Sequence, residues 1–502
     1  MSLLGIDVGT TGCKAIVFRL DGEILGQGYR EYPHSFPRPG WVEMDSNEVW
    51  SATKNAISEA VSRAGARDPV KALAVSSQGE GVTPIGPDGE ALAATIVSFD
   101  NRTTAQSEWW DQRMGKRKLF AITGQPLHPM YSINKIMWWR DNEPEVFARA
   151  RKFLCYEDFT VFRLGAEPVI DYSLAARTMA FNVRAESWSQ EVLSAAGVEP
   201  ERLAVIAPSG AVIGEVRDEL AAELGLPRGV AIVTGGHDQP CGALGSGIIE
   251  PRVAMDATGT VECITPACSE LTLSDAMLES NYPCYHHVAP GMYVTIAFNF
   301  TGGSLLRWYR DTLGKQERED AEAAGMDAYE MMIGLATSEP SPVMVLPHFT
   351  VTGTPWLDPY SKGVILGLTL ATTKGDIIKA LLEGVTFEMR LNLEHLARAG
   401  VAVERLRAIG GGAKSPTWLQ LKADIFNRPV SSLSVSEAAC LGAALLAGAG
   451  VGEYSSPAEA ADRTIRVVRT YEPDPQTAAR YDERYDVYRR LYPTLRELVH
   501  AL

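Results

Sequence analysis

An acidic residue, a glycine turn and paired hydroxyls, set between two short apolar strands, occur twice in this chain. The first copy is Asp7-Val8-Gly9-Thr10-Thr11-Gly12, entered from Leu3-Leu4-Gly5-Ile6 and left through Lys14-Ala15-Ile16-Val17-Phe18. The second, Asp256-Ala257-Thr258-Gly259-Thr260, lies about half the chain later, between Arg252-Val253-Ala254-Met255 and Val261-Glu262-Cys263-Ile264. Such a loop turns backbone N–H groups and Thr hydroxyls toward an anion. Its carboxylate can hold a hydrated Mg2+ that is shared with substrate phosphates. Either copy alone reads equally as a β-hairpin with a Gly-Thr turn. The pairing is the constraint: two copies point to a duplicated domain closing around one nucleotide.

A chain of 502 residues has room for several domains with large cores. Its formal charge of −15 opposes binding to nucleic acid or to an anionic membrane. An anionic ligand such as ATP then needs a local positive group, a metal or a nest of N–H groups. The seven cysteines are scattered and form no C-x-x-C pair, as expected of buried thiols in a reducing compartment. Cys263, Cys268, Cys284, His286 and His287 lie close in sequence, but their spacing fits no zinc template. No basic-then-apolar leader precedes the first strand. The most apolar stretch, Ala438 to Val451, is too short to cross a bilayer. The expectation is a cytoplasmic protein with neither nucleic acid nor membrane as partner.

Along the chain, Leu3–Phe18 and Glu23–Glu31 read as strands joined at Asp21-Gly22, and residues 47–64 as a helix with apolar positions at helical spacing. Strand candidates at 71–76, 94–98 and 229–234 each end in a polar cluster: Gln78-Gly79-Glu80-Gly81, Phe99-Asp100-Asn101-Arg102 and Gly235-Gly236-His237-Asp238-Gln239. Carboxyl ends of strands are where open α/β sheets bind ligands. The second half repeats the plan, with strands at 293–298, 343–346 and 406–409, a turn at Gly302-Gly303, a long amphipathic helix over 376–397, and Gly410-Gly411-Gly412-Ala413. The charged, Tyr-rich last fifty residues read as terminal surface helices. The expected division is 1–247 and 248–502, an α/β pair of domains.

This order of motifs resembles the FGGY family of carbohydrate kinases, and within it the xylulokinase branch. The resemblance covers nearly the whole chain. It runs through Gly5-Ile6-Asp7-Val8-Gly9-Thr10-Thr11, Gly235-Gly236-His237-Asp238, Ala257-Thr258-Gly259-Thr260, Lys362-Gly363-Val364-Ile365-Leu366-Gly367-Leu368, Leu382-Glu383-Gly384-Val385 and Ile409-Gly410-Gly411-Gly412-Ala413-Lys414-Ser415. It implies two ribonuclease-H-like domains of the actin and hexokinase superfamily flanking a central cleft, with ATP-dependent phosphorylation of a sugar or polyol hydroxyl between them. By that similarity Asp238 is the general base and Asp7 positions Mg2+, while Thr10, Thr11 and Lys14 approach the transferring phosphate. Gly259 and Thr260 hold phosphates from the second domain, Gly303 and Arg307 lie near the nucleotide, and Gly411, Gly412 and Ala413 line its adenine and ribose pocket. Gln78, Glu80, Asp100 and Arg102 fall on the sugar-binding loops, and the resemblance leaves room for a homodimer. A carboxylate base suits phosphoryl transfer, whose loose transition state needs positioning more than strong deprotonation. Taken alone, Asp238 also reads as a helix N-cap, and Asp100 with Arg102 as a plain ion pair.

The chain departs from the branch where Met-His usually comes after the substrate-loop Gln. Here that text is Gly79-Glu80. Glycerol kinases also carry Glu at the second position, but preceded by Arg. An ionised carboxylate makes strong hydrogen bonds to polyol hydroxyls, and Glu80 alternatively caps a surface turn. The sugar is therefore left open by the sequence. A nucleotide-switching protein of the same superfamily, or a sugar-sensing regulator, fits less well, because no added binding or DNA-reading module is visible. No Walker-type phosphate loop and no G-x-G-x-x-G after the first strand are present.

Overall fold

A computed structural model describes residues 1–502. Two mixed sheets carry the molecule. The first has six strands in the order Val212–Glu215, Ala231–His237, Val70–Ser77, Ser2–Val8, Gly12–Arg19 and Ile24–Glu31. Ser2–Val8 is central, and Leu3, Leu4, Ile6 and Val8 are buried on both of its faces, as a strand covered by helices on two sides requires. It pairs antiparallel with Gly12–Arg19, setting Asp7 across from Lys14, and parallel with Val70–Ser77, setting Asp7 beside Ser76.

The second sheet has eight strands, centred on Val253–Thr258. That strand pairs antiparallel with Glu262–Cys268 and parallel with Arg405–Gly410, which puts Asp256 across from Ile264 and beside Ala408. The strand–loop–strand unit is thus repeated with the same pair of neighbours. Helix Lys374–Arg398 starts at a capping box in which Thr373 and Asp376 exchange hydrogen bonds, and buries its apolar stripe in the second core. No helix is long and apolar enough to cross a membrane.

Helices Asp238–Gly245 and Ala438–Gly450 cross in backbone contact where the two halves meet. A Cβ on Gly442 would fall 1.9 Å from the Cys241 carbonyl oxygen, and one on Gly245 would fall 1.9 Å from that of Ala438. Any side chain at either glycine would force the helices apart. The Ala- and Gly-rich helix lies between two strands of the second sheet in sequence, yet it packs on the first, in one cluster with Leu3, Phe18, Ala72 and Val233.

The C-terminal segment differs from the surface helices expected. A strand, Val467–Tyr471, joins the second sheet. In helix Pro475–Tyr488, residues Tyr481, Tyr485 and Tyr488 recur every three to four positions and pack around Phe387. That spacing is a core-facing stripe, so the tail is part of the second core. The strand expected over 94–98 shortens to Thr95–Ile96, and that over 293–298 splits into Tyr293–Val294 and Ala297–Asn299.

Candidate active site

Between the halves lies a cavity of about 170 Å3. That is room for a small molecule. Gln78, Glu80, Arg177 and Asp238 line it from the first half, and Cys263, Asn281 and Phe298 from the second.

Asp238 opens helix Asp238–Gly245, and the N-cap position belongs to His237. The carboxylate is therefore left facing the cleft, with 31 % of its side chain exposed. The strand before it carries a register shift between Val233 and Gly236, and such a bulge re-aims the side chains beyond it. Two buried groups hold the bulge: Gly235 N–H donates to Glu157 Oε1 at 2.9 Å, and His237 N–H donates to Ser173 Oγ at 2.9 Å. Burial, then the charges of Asp7 and Glu80, push the Asp238 carboxyl up to about 8, against hydrogen bonds from Gln239.

Asp7 Oδ1 accepts a hydrogen bond from Ser76 Oγ at 2.8 Å. Burial pushes its carboxyl up to about 6, while Ser76 and Lys14 pull it down. Thr10 lines the cavity and Thr11 is exposed at the loop's tip. Lys14 is already engaged: its ammonium meets Glu437 Oε2 at 2.6 Å, the residue just before helix Ala438–Gly450. Nothing in the sequence near Lys14 announces a partner 423 positions away.

Glu80 sits in the left-handed region at φ 64°. Its carbonyl takes hydrogen bonds from Ser132 Oγ at 3.0 Å and from the buried Lys135 ammonium at 2.7 Å. Its carboxylate pairs with Arg177, whose Nε donates at 2.5 Å and whose second arm reaches Gln125 Oε1 at 2.8 Å. Glu80 thus faces the cavity as half of an ion pair, not as a surface cap. Gln78 donates to the Gly9 carbonyl at 3.1 Å, tying the sugar-side loop to the first phosphate-type loop, and its Oε1 is buried without a protein partner. Arg177 and Lys135 were not foreseeable from local text, since each is a lone residue brought in by topology.

Asp100 and Arg102 form an ion pair in the wall beside this cavity. Both side chains are almost fully buried, at 0 and 2 % exposure, and neither lines the cavity. Arg102 grips Asp100 with two arms at 2.8 to 3.0 Å, reaches Glu43 at 2.7 Å, and stacks on Trp41 at 3.9 Å. The Val42 N–H also donates to Asp100 Oδ2, at 2.6 Å. These internal partners make the pair a brace of the wall.

In the second loop, Gly303 N–H donates to the Gly259 carbonyl at 2.8 Å and Gly302 N–H to that of Thr260 at 3.0 Å. Arg307 reaches Thr260 Oγ1 at 3.4 Å. Gly412 lies so close to Thr258 that a Cβ would fall 2.7 Å from its Cβ, whereas one on Gly411 would meet only the Thr258 carbonyl oxygen at 3.9 Å, and Ala413 packs against the second core. Lys422, from helix Pro416–Phe426, inserts an ammonium beneath the loop, 2.6 Å from both Asp256 Oδ2 and Thr258 Oγ1 and 2.9 Å from Glu262 Oε1. The Cys263–His287 cluster makes no metal site: all seven cysteines are free thiols, and no group of three metal-ligating side chains exists.

Family models for carbohydrate kinases match both halves, the N-terminal domain over residues 2–245 and the C-terminal domain over 256–451. The chain belongs to the FGGY family of carbohydrate kinases. It is 28 % identical to the xylulose kinase of Staphylococcus epidermidis over the whole of this chain and 98 % of that one. It is 32 % identical to the glycerol kinase of Bordetella parapertussis, covering 94 % of this chain and 92 % of that protein. Among solved structures, the xylulose kinase of Rhodospirillum rubrum superposes with a TM-score of 0.89 at 26 % identity, covering 100 % of both chains. This FGGY kinase is an enzyme that uses ATP as phosphoryl donor. Asp7 offers a carboxylate oxygen with no protein hydrogen bond, a donor that a hydrated cation could use. Mg2+ binds in that manner, through one or two carboxylates, waters and substrate phosphates.

Proposed function

We propose that this kinase phosphorylates a hydroxyl of a small ketose or polyol, a pentulose such as xylulose first among them. Asp238 is the general base. As the sugar oxygen forms its bond to the γ-phosphorus, Asp238 takes the hydroxyl proton, and the bond from phosphorus to the ADP oxygen breaks. Gln78 and Glu80 hold the sugar, and residues 1–247 form the sugar-binding domain. Thr10, Thr11 and Lys14 face the transferring phosphate. From residues 248–502, Gly259, Thr260, Gly303 and Arg307 hold the remaining phosphates, and Gly411, Gly412 and Ala413 flank the nucleoside. Asp7 would hold Mg2+, which would supply positive charge against the phosphates.

The observation that carries this reading is a half-buried carboxylate heading a helix at the floor of a polar cavity of sugar size. Relatives across its whole length that bear the name xylulose kinase support the pentulose. A second reading, glycerol or another short polyol such as erythritol, draws on Glu80: Arg177 returns to it the guanidinium that Gly79 lacks. A panel of pentuloses, hexuloses, tetritols and glycerol, monitored by ADP release, tests both. The expected result is a preferred pentulose and a loss of sugar-dependent turnover on the order of 10²- to 10⁴-fold in Asp238→Ala. Sugar-dependent turnover that survives in Asp238→Ala would remove Asp238 as base, and a preference for glycerol would select the second reading.

A further inference from the structure

We propose that His128 is a specificity-determining residue of the sugar site, donating a hydrogen bond from its Nε2 to a hydroxyl of the sugar or polyol. The inference rests on the cavity between the halves being that site. His128 is half-buried and lines the cavity together with Met130, Tyr131 and Arg177. The Met130 N–H donates to His128 Nδ1 at 3.2 Å. A ring nitrogen that accepts a hydrogen bond carries no hydrogen, so the imidazole is neutral and its single hydrogen sits on Nε2. Burial, then the charges of Arg177 and Lys135, hold the imidazole at about 4, in keeping with that bond. Nε2 has no partner within the protein, and its hydrogen is left for whatever enters the cavity.

The loop that carries the imidazole is braced on several sides. Pro126 and Pro129 flank His128, fixing two backbone angles and biasing His128 itself toward an extended conformation. The fully buried Asn134 donates to the carbonyl oxygens of His128 at 3.0 Å and of Pro129 at 3.4 Å. Thr103 Oγ1 donates to the Pro129 carbonyl as well, at 2.7 Å. Arg177 then joins this loop to the sugar-side carboxylate. Its Nε donates to Glu80 Oε1 at 2.5 Å, one arm donates to Gln125 Oε1 at 2.8 Å, and the other meets Met130 Sδ at 3.5 Å. One guanidinium thus sets a donor on His128 and a carboxylate on Glu80 in a single frame. A hydroxyl can accept from the first and give to the second, whereas an ionised acid has no hydrogen to give Glu80. Fixing the donor beforehand lowers the ordering cost of binding.

The test is steady-state kinetics with the best acceptor among the pentuloses, hexuloses, tetritols and glycerol, and with its deoxy analogues, each lacking one non-reacting hydroxyl. His128→Asn places an amide oxygen where Nδ1 stands, so it keeps the Met130 bond as an Asx turn and removes the Nε2 donor. It is expected to lower kcat/KM for the sugar by about 10-fold, chiefly through KM, with the KM for ATP unmoved. His128→Gln, whose amide nitrogen reaches the Nε2 position, should recover most of that loss. In the wild type one deoxy analogue should lose a similar factor, and in His128→Asn that analogue and the parent sugar should differ by less than about 2-fold. A sugar KM that stays in place in His128→Asn overturns the inference. So does a loss equal for the parent sugar and every analogue, which is what a purely structural role would give. If His128→Asn fails to fold, His128→Leu enters the same cycle under the same two outcomes. If neither folds, a wild type indifferent to the removal of each non-reacting hydroxyl overturns it. A panel in which no sugar or polyol is phosphorylated would instead remove the sugar site itself.

Discussion

The Asp7 and Asp256 loops share a place in their sheets but differ in what neutralises the carboxylate. Beside Asp7 stands Ser76, which gives one hydrogen bond, and the nearest lysine is turned away to Glu437. Beside Asp256 stands Ala408, and Lys422 rises from a distant helix to meet Asp256, Thr258 and Glu262 together, all in the interior. One loop keeps an anion in want of a cation. The other has a cation built in. Such a duplicated unit divides the work: the first copy stays electrostatically unfinished and suits catalysis, and the second is complete and suits a rigid holder.

The strongest way to break this comparison is Lys422→Met. It leaves Asp256 and Glu262 buried without their ammonium, and is expected to remove about 3 to 5 kcal/mol of stability. Burial already pushes Glu262 up to about 8 with Lys422 present. Without it, the folded state holds the Glu262 carboxyl still further above its unfolded value, so the deficit should widen as pH rises from 5 to 8. Urea unfolding at both pH values measures this, and a loss below about 1 kcal/mol at pH 8 would show that Lys422 is not the loop's essential cation.

Asp7→Asn is the counterpart. Turnover should fall on the order of 10²- to 10³-fold, while the fold loses nothing. A carboxyl held above its unfolded value disfavours the folded state once pH passes that unfolded value, so the variant should gain slightly on wild type toward alkaline pH. Asp238 would also lose a like charge and fall below about 8. The acidic limb of the residual activity should then move to lower pH, and a limb that moves up would contradict the coupling. The smallest effect belongs to Glu437→Gln. Its ion pair with Lys14 is about one-third exposed on each side, so stability should change by less than about 1 kcal/mol. The freed lysine should lower the KM for ATP a few-fold, and a raised KM would argue that Lys14 needs Glu437 to stay in place.

Much of this was readable in the sequence because it is local. The two loops, their flanking strands, the Gly235-Gly236 approach to Asp238 and the long helix near 376–397 all arise from residues within a few positions of one another. What escaped comes from sequence-distant partners. Arg177 reaches Glu80 across 97 positions, and Lys422 reaches Asp256 across 166. Asp100 and Arg102 carry the residue types of a sugar contact, but Trp41 and a neighbouring N–H draw them inward. The Ala- and Gly-rich helix at 438–450 reads only as apolar, because the surface it packs on was laid down at the start of the chain.

The crossing of the two glycine-contacting helices has a mechanical consequence. If the lobes swing toward each other, the crossing is one of the places where their backbones touch, together with the Cys284 N–H to Gly124 carbonyl bond at 2.8 Å, and it can serve as a pivot. Displacement grows with distance from a pivot. Asp238 stands at the head of one of these helices, and Glu437 adjoins the other. The base is thus mounted near the axle, where it keeps its aim while the outer walls of the cleft travel, and the enzyme can open for substrate without unsighting its own chemistry.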